Sequence, residues 1–153
     1  MNDEYYMMLA IKEAKKAEAI DEVPVGAVVV DESQGVIGQG FNCPISTQDP
    51  TSHAEIVAIR LACGRVNNYR LTQTSIYVTI EPCIMCMGAI IHARIGRVVF
   101  GASDPKWGAA LSLYQMGSDH RLNHNPEVVS GICEQETKAL MKDFFRKKRR
   151  HRD

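Results

Sequence analysis

"TSIYVTIEPCIMCMGAI" occupies residues 74–90 and joins two kinds of sequence pattern. Its first part, residues 74–80, is rich in β-branched and aromatic side chains, which favour a strand. Pro82 then predicts the first turn of a helix, because proline lacks the N–H group that a first turn leaves unbonded anyway. Cys83 and Cys86 are three positions apart and would share one face of that helix. The stretch therefore predicts a strand that ends at two neighbouring sulfur atoms.

Further strands and helices are predicted on both sides of this unit. An apolar run at residues 23–31 has the composition of a strand buried on both faces, and residues 35–42 form its predicted hairpin partner. Asp3 is the predicted cap of a first helix, and Thr51 or Ser52 that of a second. The remaining predicted elements are a helix at 53–63, a strand at 96–103, a short helix near 111–116, a short strand at 128–129 and a closing helix with Thr137, Leu140, Met141, Phe144 and Phe145 on its inner face.

Strands that alternate with helices indicate an α/β layered fold with a partly parallel sheet. In such folds ligands bind beyond the carboxyl ends of the strands. The two cysteines follow the end of a predicted strand, so we expect a functional site there.

The composition is that of a globular protein. The chain has 153 residues, the size of one domain, with 45% hydrophobic and 24% charged residues, and we expect a single domain over residues 1–153. No apolar run is long enough for a membrane span, and the acidic N-terminus is not typical of a signal peptide. These features, together with five cysteines, favour the cytoplasm, where thiols stay reduced and structural disulfides are rare.

Charge is unevenly distributed along the chain, although the net charge is zero. Residues 142–153 carry seven Lys or Arg and two Asp, a net charge of +5, and the rest of the chain carries −5. A basic segment on an acidic body points to a polyanion as partner, but such a segment is also common as a solvated tail. The charge pattern alone leaves both alternatives open.

His53 supplies a third potential metal ligand upstream of the cysteine pair. One imidazole and two thiolates form a ligand set that suits zinc. Structural zinc sites have four protein ligands, whereas catalytic sites leave one position for water or substrate. The other candidates for a fourth ligand are Cys43, Cys63 and Cys133. The last two lie in apolar helical patterns typical of buried thiols, so Cys43 is the strongest of the three.

Glu55 follows His53 by two positions and would lie at the start of the same helix. A carboxylate beside a metal-activated water can accept its proton and pass it to a substrate. A glutamate in the first turn of a helix is also common for electrostatic reasons alone. The combination of H-x-E with P-C-x-x-C favours the catalytic role.

The pair HAE, residues 53–55, and PCIMC, residues 82–86, resembles the signature of zinc nucleobase deaminases. Longer segments are similar to the bacterial tRNA-specific adenosine deaminases, and this resemblance runs from about residue 4 to residue 150. The similar segments are EVPVGAVVV, GFNCPI, DPTSHAEIVAIR, NYRL, YVTIEPCIMCMGAIIHARIGRVVFGASDPKWGAA and DFFRKKRR.

The resemblance implies a three-layer α/β/α fold of the cytidine-deaminase type, with a five-stranded mixed sheet between helices, and a homodimer. It also implies one Zn²⁺ ion per subunit, held by His53, Cys83 and Cys86. In the implied reaction, a zinc-activated hydroxide attacks the wobble adenosine of a tRNA anticodon and Glu55 shuttles protons. Ammonia then leaves and inosine is formed.

Candidate substrate contacts follow from the same resemblance. Asn42 matches the residue that holds the extruded nucleoside, and Ala54 matches a position whose backbone lines the base pocket. Asp104 and Lys106 match a loop that contacts the nucleotides around the target base.

The basic segment supplies the predicted contacts with the anticodon stem-loop. We expect the cations at 146–150, Arg149 among them, to bind RNA phosphates. Phe144 and Phe145 continue an apolar stripe and are expected to pack, but Phe145 is next to the cations and is also a candidate to contact RNA. Trp107, where the family often has a small or polar residue, would either pack or stack on a base.

Two other functions use the same sequence features. A deaminase of a free base or nucleotide, above all guanine, would need the same zinc site and glutamate but no basic helix. A non-catalytic RNA-binding module with structural zinc would need a fourth ligand and no glutamate at position 55. The basic segment therefore argues against the first function, and the H-x-E motif argues against the second.

Overall fold

The computed structural model describes the backbone of residues 2–152 and the side chains of residues 2–150, so the last positions of the basic segment lie partly outside the described residues. None of the helices in this described part combines the length and the apolar character that crossing a bilayer requires. In chain order the elements are α1 (Asp3–Ala19), β1 (Gly26–Asp31), β2 (Gly35–Phe41), α2 (Pro44–Thr47), α3 (Ala54–Val66), β3 (Thr74–Ile80), α4 (Ile84–His92), β4 (Arg97–Ala102), a 3-10 helix (Met116–Ser118), β5 (Glu127–Val129) and α5 (Glu134–Arg152).

The five strands form one mixed sheet in the order β2-β1-β3-β4-β5. Strand β1 is antiparallel to both β2 and β3, whereas β4 is parallel to both β3 and β5. Parallel neighbours need a crossover connection, and α4 provides the one from β3 to β4. The predicted five-stranded mixed sheet is confirmed.

Apolar side chains on both faces of the sheet produce the three-layer arrangement. Successive side chains of a strand point to opposite faces, so a continuous apolar run supplies two cores. On one face Val28 and Val30 of β1 pack with Met7, Ala10 and Ile11 of α1. On the other face the alternate residues of β1, β3 and β4 pack against α3 and α4. Helix α5 packs along β4.

The parallel part of the sheet decides where the functional residues meet. Ile80 ends β3 and Ala102 ends β4, and these two residues are register partners. The Glu81 N–H extends the pairing by donating to the Ala102 carbonyl oxygen at 2.9 Å. The segments that leave both strands therefore begin side by side at the carboxyl ends of the strands, where the site was expected.

Helix α1 differs from the prediction at its start. Asn2, not Asp3, is the N-cap, and its side chain accepts a hydrogen bond from the Tyr5 N–H at 3.0 Å. Asp3 instead accepts hydrogen bonds from the two terminal nitrogens of Arg97, at 3.2 and 3.0 Å, and from the Tyr77 hydroxyl at 2.7 Å. These bonds fasten α1 to β3 and β4.

Replacing Asp3 by asparagine is expected to lower the free energy of unfolding by about 1.5–3 kcal/mol, the range for hydrogen bonds to a charged group. The hydrogen bond from Arg97 lowers the pKa of Asp3. A carboxyl group with a lowered folded-state pKa stabilises the protein above its unfolded pKa, and this stability is lost as the pH falls through the folded value. The difference between wild type and Asp3→Asn should therefore shrink below about pH 4. Denaturant melts at several pH values measure it, and a difference that stays constant in acid would contradict the prediction.

Helices α3 and α4 begin later than predicted. The N-cap of α3 is His53 and that of α4 is Cys83, and neither side chain makes a capping hydrogen bond. Thr51 and Ser52 therefore precede the cap, and Pro82 lies before the first turn rather than within it. The side chains of His53 and Cys83 contact each other instead.

The chain between β4 and β5 is less regular than predicted. The predicted short helix at 111–116 is wrong, because residues 109–112 form turns and the 3-10 helix begins only at Met116. The four-residue helix α2, which follows Cys43, was not predicted.

Candidate metal centre

Three potential metal ligands meet at the starts of α3 and α4. The Nδ1 atom of His53 lies 3.6 Å from the Sγ atom of Cys83 and 3.6 Å from that of Cys86. The ligand atoms of all three residues lie within 4.8 Å of one another. The structure thus brings together the three residues that the sequence predicts as zinc ligands.

These distances fit a tetrahedral zinc ion. A zinc–sulfur bond of about 2.3 Å and a zinc–nitrogen bond of about 2.0–2.1 Å, at a tetrahedral angle, separate the nitrogen from each sulfur by about 3.6 Å. The observed nitrogen–sulfur separations are 3.6 Å for both cysteines. Imidazole and thiolate ligands are also those that zinc prefers, so the residues present fit this ion.

The electrostatics of the cluster also favour a metal. A hydrogen bond from Cys86, and to a smaller extent one from His53, lowers the pKa of the Cys83 thiol to about 4 in spite of its partial burial. The start of helix α4 adds partial positive charge near the same sulfur. Cys83 is therefore the sulfur of the pair that ionises first, whereas the hydrogen bond to Cys83 and burial raise the pKa of Cys86. Zinc binds both sulfurs as thiolates, so binding of the ion would release the proton of Cys86.

No fourth His, Cys, Asp or Glu joins this cluster among the residues that the structure describes. Cys43, the strongest candidate from the sequence, is half-buried outside the cluster, and burial raises the pKa of its thiol. Cys63 and Cys133 are half-buried rather than fully buried as expected. Three protein ligands with one open position are typical of a catalytic zinc site rather than a structural one.

Glu55 lies in the first turn of α3, with 4% of its surface exposed. Burial raises the pKa of its carboxyl group to about 7, while a cation on the neighbouring ligands would act in the opposite direction. A carboxyl group that titrates near neutral pH can both accept and donate a proton there. Glu55 lines the same cleft as His53 and Cys83, as its predicted role requires.

This cleft has a volume of about 1220 Å³. The side chain of Ala54 is buried in the core and does not line this cleft, and the predicted contact of the Ala54 backbone with the base stays a prediction. The other predicted substrate contacts all line the cleft, namely Asn42, Asp104, Lys106, Phe145 and Arg149.

Helix α5 forms one side of the cleft with side chains at helical spacing. Phe144 is buried as expected, with 6% of its surface exposed, whereas the expectation that Phe145 packs is wrong, because it is 42% exposed and lines the cleft. Within the predicted RNA-binding cations at 146–150, the residue that lines the cleft is Arg149. Two earlier cations of the same helix, Lys138 and Lys142, also line it. Neither was among the predicted RNA contacts, although Lys142 belongs to the basic segment.

Glu81 is a further functional residue that the sequence analysis missed. Its carboxylate accepts hydrogen bonds from the backbone N–H groups of Asp104, Ala110, Leu111 and Ser112, at 3.1, 3.2, 2.8 and 3.0 Å, and from the Ser112 hydroxyl. Burial alone would raise the pKa of Glu81, but these hydrogen bonds outweigh burial and lower it. The carboxylate thus holds the loop at 103–112 against the start of α4. The only sequence signal is an acidic residue between an apolar strand and a proline.

Glu22 has a similar role in the segment that carries Asn42. This carboxylate is 1% exposed and accepts hydrogen bonds from the N–H groups of Ile45, at 3.3 Å, and Ser46, at 2.7 Å, in the first turn of α2. The Asn42 N–H donates to the carbonyl oxygen of Val25 at 3.0 Å. The segment that carries Asn42 is therefore fixed on both sides, and the available sequence signal was a single acid beside an apolar run.

Replacing Glu81 by glutamine is expected to lower the free energy of unfolding by about 2–4 kcal/mol, because a neutral amide cannot accept all of these hydrogen bonds. The loop that carries Asp104 should loosen with it, so KM for the substrate should rise. Denaturant melts and steady-state kinetics measure the two effects. The exposed Glu32→Gln is the matched control and should change stability by about 0.5 kcal/mol or less. Equal losses in both variants would contradict the role of Glu81.

Comparison with known proteins agrees with this geometry. Residues 1–102 match the model of the cytidine and deoxycytidylate deaminase zinc-binding region. A tRNA-specific adenosine deaminase of Haemophilus influenzae is 49% identical over 147 residues, which cover 96% of this chain and 85% of the relative. One of Bacillus subtilis is 45% identical over 148 residues, which cover 97% of this chain and 91% of the relative.

A solved structure gives the same result in three dimensions. It comes from studies of A-to-I editing by tRNA:A34 deaminases at the wobble position of transfer RNA, and it matches with a TM-score of 0.85 and 43% identity. The match covers 89% of this chain and 98% of the other. Since the similarity extends over almost the whole chain and includes the metal centre, the chain belongs to the zinc-binding cytidine and deoxycytidylate deaminase family and, within it, to the tRNA-specific adenosine deaminases.

Proposed function

We propose that this protein converts the wobble adenosine of a tRNA anticodon into inosine in a zinc-dependent hydrolysis. The observation that carries the proposal is the buried Glu55 beside a three-ligand metal site in a cleft that basic and aromatic side chains also line. The similarity to tRNA-specific adenosine deaminases supports tRNA as the substrate.

The reaction consumes adenosine and water and releases inosine and ammonia. A zinc ion on His53, Cys83 and Cys86 would supply a water molecule that is activated near neutral pH. Glu55 would accept one proton from this water and donate it to the ring nitrogen. It would then accept the second proton, from the hydroxyl now on the ring carbon, and donate it to the departing amine, which leaves as ammonia. Asn42 offers both a donor and an acceptor to the nucleoside from a position that α2 fixes.

An unpaired RNA loop suits this cleft because Glu55 is buried. A base that remains within a stacked duplex cannot reach a buried carboxylate, so the target nucleotide must be extruded. The bases of an anticodon loop are already unpaired, which makes extrusion cheap. Lys106, Lys142 and Arg149 line the cleft and supply positive charge for the phosphates on either side.

The test is a set of separate incubations with an anticodon stem-loop, guanine, cytidine and deoxycytidylate. Inosine formed in the stem-loop, without ammonia from the three small molecules, is the expected result. Ammonia from guanine alone would replace this proposal by a free-base deaminase, the nearest alternative with the same zinc site.

Deleting residues 146–153 is expected to weaken binding of the stem-loop and to flatten its salt dependence. Each phosphate contact that is lost should reduce the slope of log K against log salt by about 0.7–0.9. Because Arg149 lines the cleft, Arg149→Gln alone should give part of the loss. The matched control is Arg70→Gln, an exposed cation outside the cleft. Binding titrations at several salt concentrations measure the slopes, and a deletion without effect would contradict the RNA contact.

We also propose that the protein is a cytoplasmic homodimer, as its family suggests. Leu111, Leu113 and Tyr114 expose between 43% and 52% of their surface on one loop, and such a patch is typical of an interaction surface. Light scattering should give twice the mass of the chain, and the mass of a single chain would contradict the dimer.

A further inference from the structure

Trp107 has no role so far, although it is the only tryptophan of the chain. It is 69% exposed and lines the cleft. Burial of a large apolar side chain is normally favourable, so an exposed tryptophan beside a functional site is informative. The exposure rules out the alternative that Trp107 packs within the chain.

The backbone on both sides of Trp107 is fixed. The N–H groups of Lys106 and Trp107 donate to the Asp104 carboxylate at 3.1 and 3.2 Å, and the Gly108 N–H donates to the Asp104 carbonyl oxygen at 2.8 Å. Asp104 is in turn bonded to Glu81 through its own N–H.

Gly108 leaves little freedom on the other side. A Cβ atom at position 108 would lie 2.4 Å from the Cδ atom of Glu81, so this backbone is in close contact with the buried carboxylate. The exposed indole is therefore presented from a rigid loop, which reduces the entropy that binding would cost.

The surroundings of Trp107 match a single-stranded nucleic acid. Phe145 is a second exposed aromatic side chain of the same cleft, and Lys106, Lys142 and Arg149 line it as well. Of the acidic side chains that line it, Glu55 and Glu81 are buried, and the half-buried Asp104 already accepts hydrogen bonds from the N–H groups of its own loop. Aromatic faces for bases, together with cations for phosphates, are the combination by which proteins bind unpaired strands.

We propose that Trp107 stacks on an unpaired base of the RNA that flanks the base to be deaminated. The inference rests on the proposed function and assigns to Trp107 the contact with a nucleotide next to the target adenosine. Stacking needs only the flat face of the base, so this contact would favour purines by their larger surface without requiring one sequence.

Tryptophan fluorescence tests the contact directly, because every tryptophan photon comes from residue 107. Titration with an anticodon stem-loop should quench the emission and protect the indole from acrylamide. The titration is repeated with stem-loops that each carry an abasic ribose at one of the positions next to the target base. For one of these stem-loops the emission should stay nearly unchanged. Its abasic position identifies the stacked base.

Substitutions give an independent measure. Trp107→Ala should weaken stem-loop binding roughly 5- to 150-fold, the range for loss of one base–aromatic stack. It should raise KM with little change in kcat, because the flanking base is held equally in the ground and transition states. Trp107→Tyr and Trp107→Phe should recover most of the affinity. Tyr69→Ala, which removes an aromatic side chain that is 70% exposed outside the cleft, is the matched control and should bind like wild type.

A labelled stem-loop, followed by anisotropy and by inosine formation, separates the possible failures. If wild type neither binds nor deaminates the stem-loop, the proposed function is wrong. If it does both, but the emission does not respond and Trp107→Ala binds normally, the stacking inference alone is wrong. Emission that changes with protein concentration and not with RNA would assign Trp107 to a contact between subunits and would also overturn the inference.

Discussion

Glu55→Gln is expected to reduce deamination of the anticodon stem-loop about 10²- to 10⁴-fold while the protein keeps its zinc. The effect should be near the upper limit, because one carboxyl group handles more than one proton transfer in the proposed reaction. Glutamine has nearly the same shape but cannot take up a proton from water. The substitution also removes an ionisable group from a buried position, so it should not destabilise the fold.

The result is interpretable only with zinc content and RNA affinity measured on the same preparations. Elemental analysis should give one zinc per chain for both wild type and Glu55→Gln, and the stem-loop should bind both. Glu136→Gln, an exposed carboxylate on α5, is the control and should retain full turnover. If Glu55→Gln still turned over at the wild-type rate, the assignment of the proton carrier would be wrong.

Cys83→Ser is expected to remove the metal and to lower activity by about 10³-fold or more, because a metal-activated water is worth several kcal/mol of the barrier. The Cys83 thiol has a pKa of about 4 and is ready to bind a cation as a thiolate, whereas a serine hydroxyl stays protonated at neutral pH. A chelator should reduce wild type to the same level. Added zinc should then restore wild type but not the variant.

Cys43→Ser is the matched control for this experiment. The two chain neighbours of Cys43 line the cleft, but Cys43 lies outside the cluster of His53, Cys83 and Cys86. The variant should therefore keep its zinc and its activity. Loss of zinc from both cysteine variants would indicate a fourth ligand. That outcome would support the non-catalytic module with structural zinc and contradict the deaminase.

The metal centre could be predicted because its signal is local. The ligand types, the i, i+3 spacing of Cys83 and Cys86, and the short distance from His53 to Glu55 are all readable in two short segments. The helix starts were misplaced by one or two residues, because a capping pattern does not reveal that His53 and Cys83 occupy the cap positions themselves.

The supports of the site could not be predicted in the same way. Glu22 and Glu81 are single acids beside apolar runs, and only their burial and their hydrogen-bond partners reveal that they hold loops. Phe145 continues an apolar stripe, so a helical pattern predicts packing, yet the position of α5 along the cleft exposes it. Trp107 left two alternatives open until its exposure was known.

By itself, the sequence determined the alternation of strands and helices, the three ligands and the carboxyl group beside them. These properties depend on periodicity and residue type over a few neighbouring positions. Only the tertiary structure decided that Asn42, Trp107 and Arg149 share a cleft with Glu55, and that Cys43 stays outside the ligand cluster. The order of strands in the sheet and the packing of α5 on β4 bring these distant segments together, and no local pattern specifies such long-range contacts.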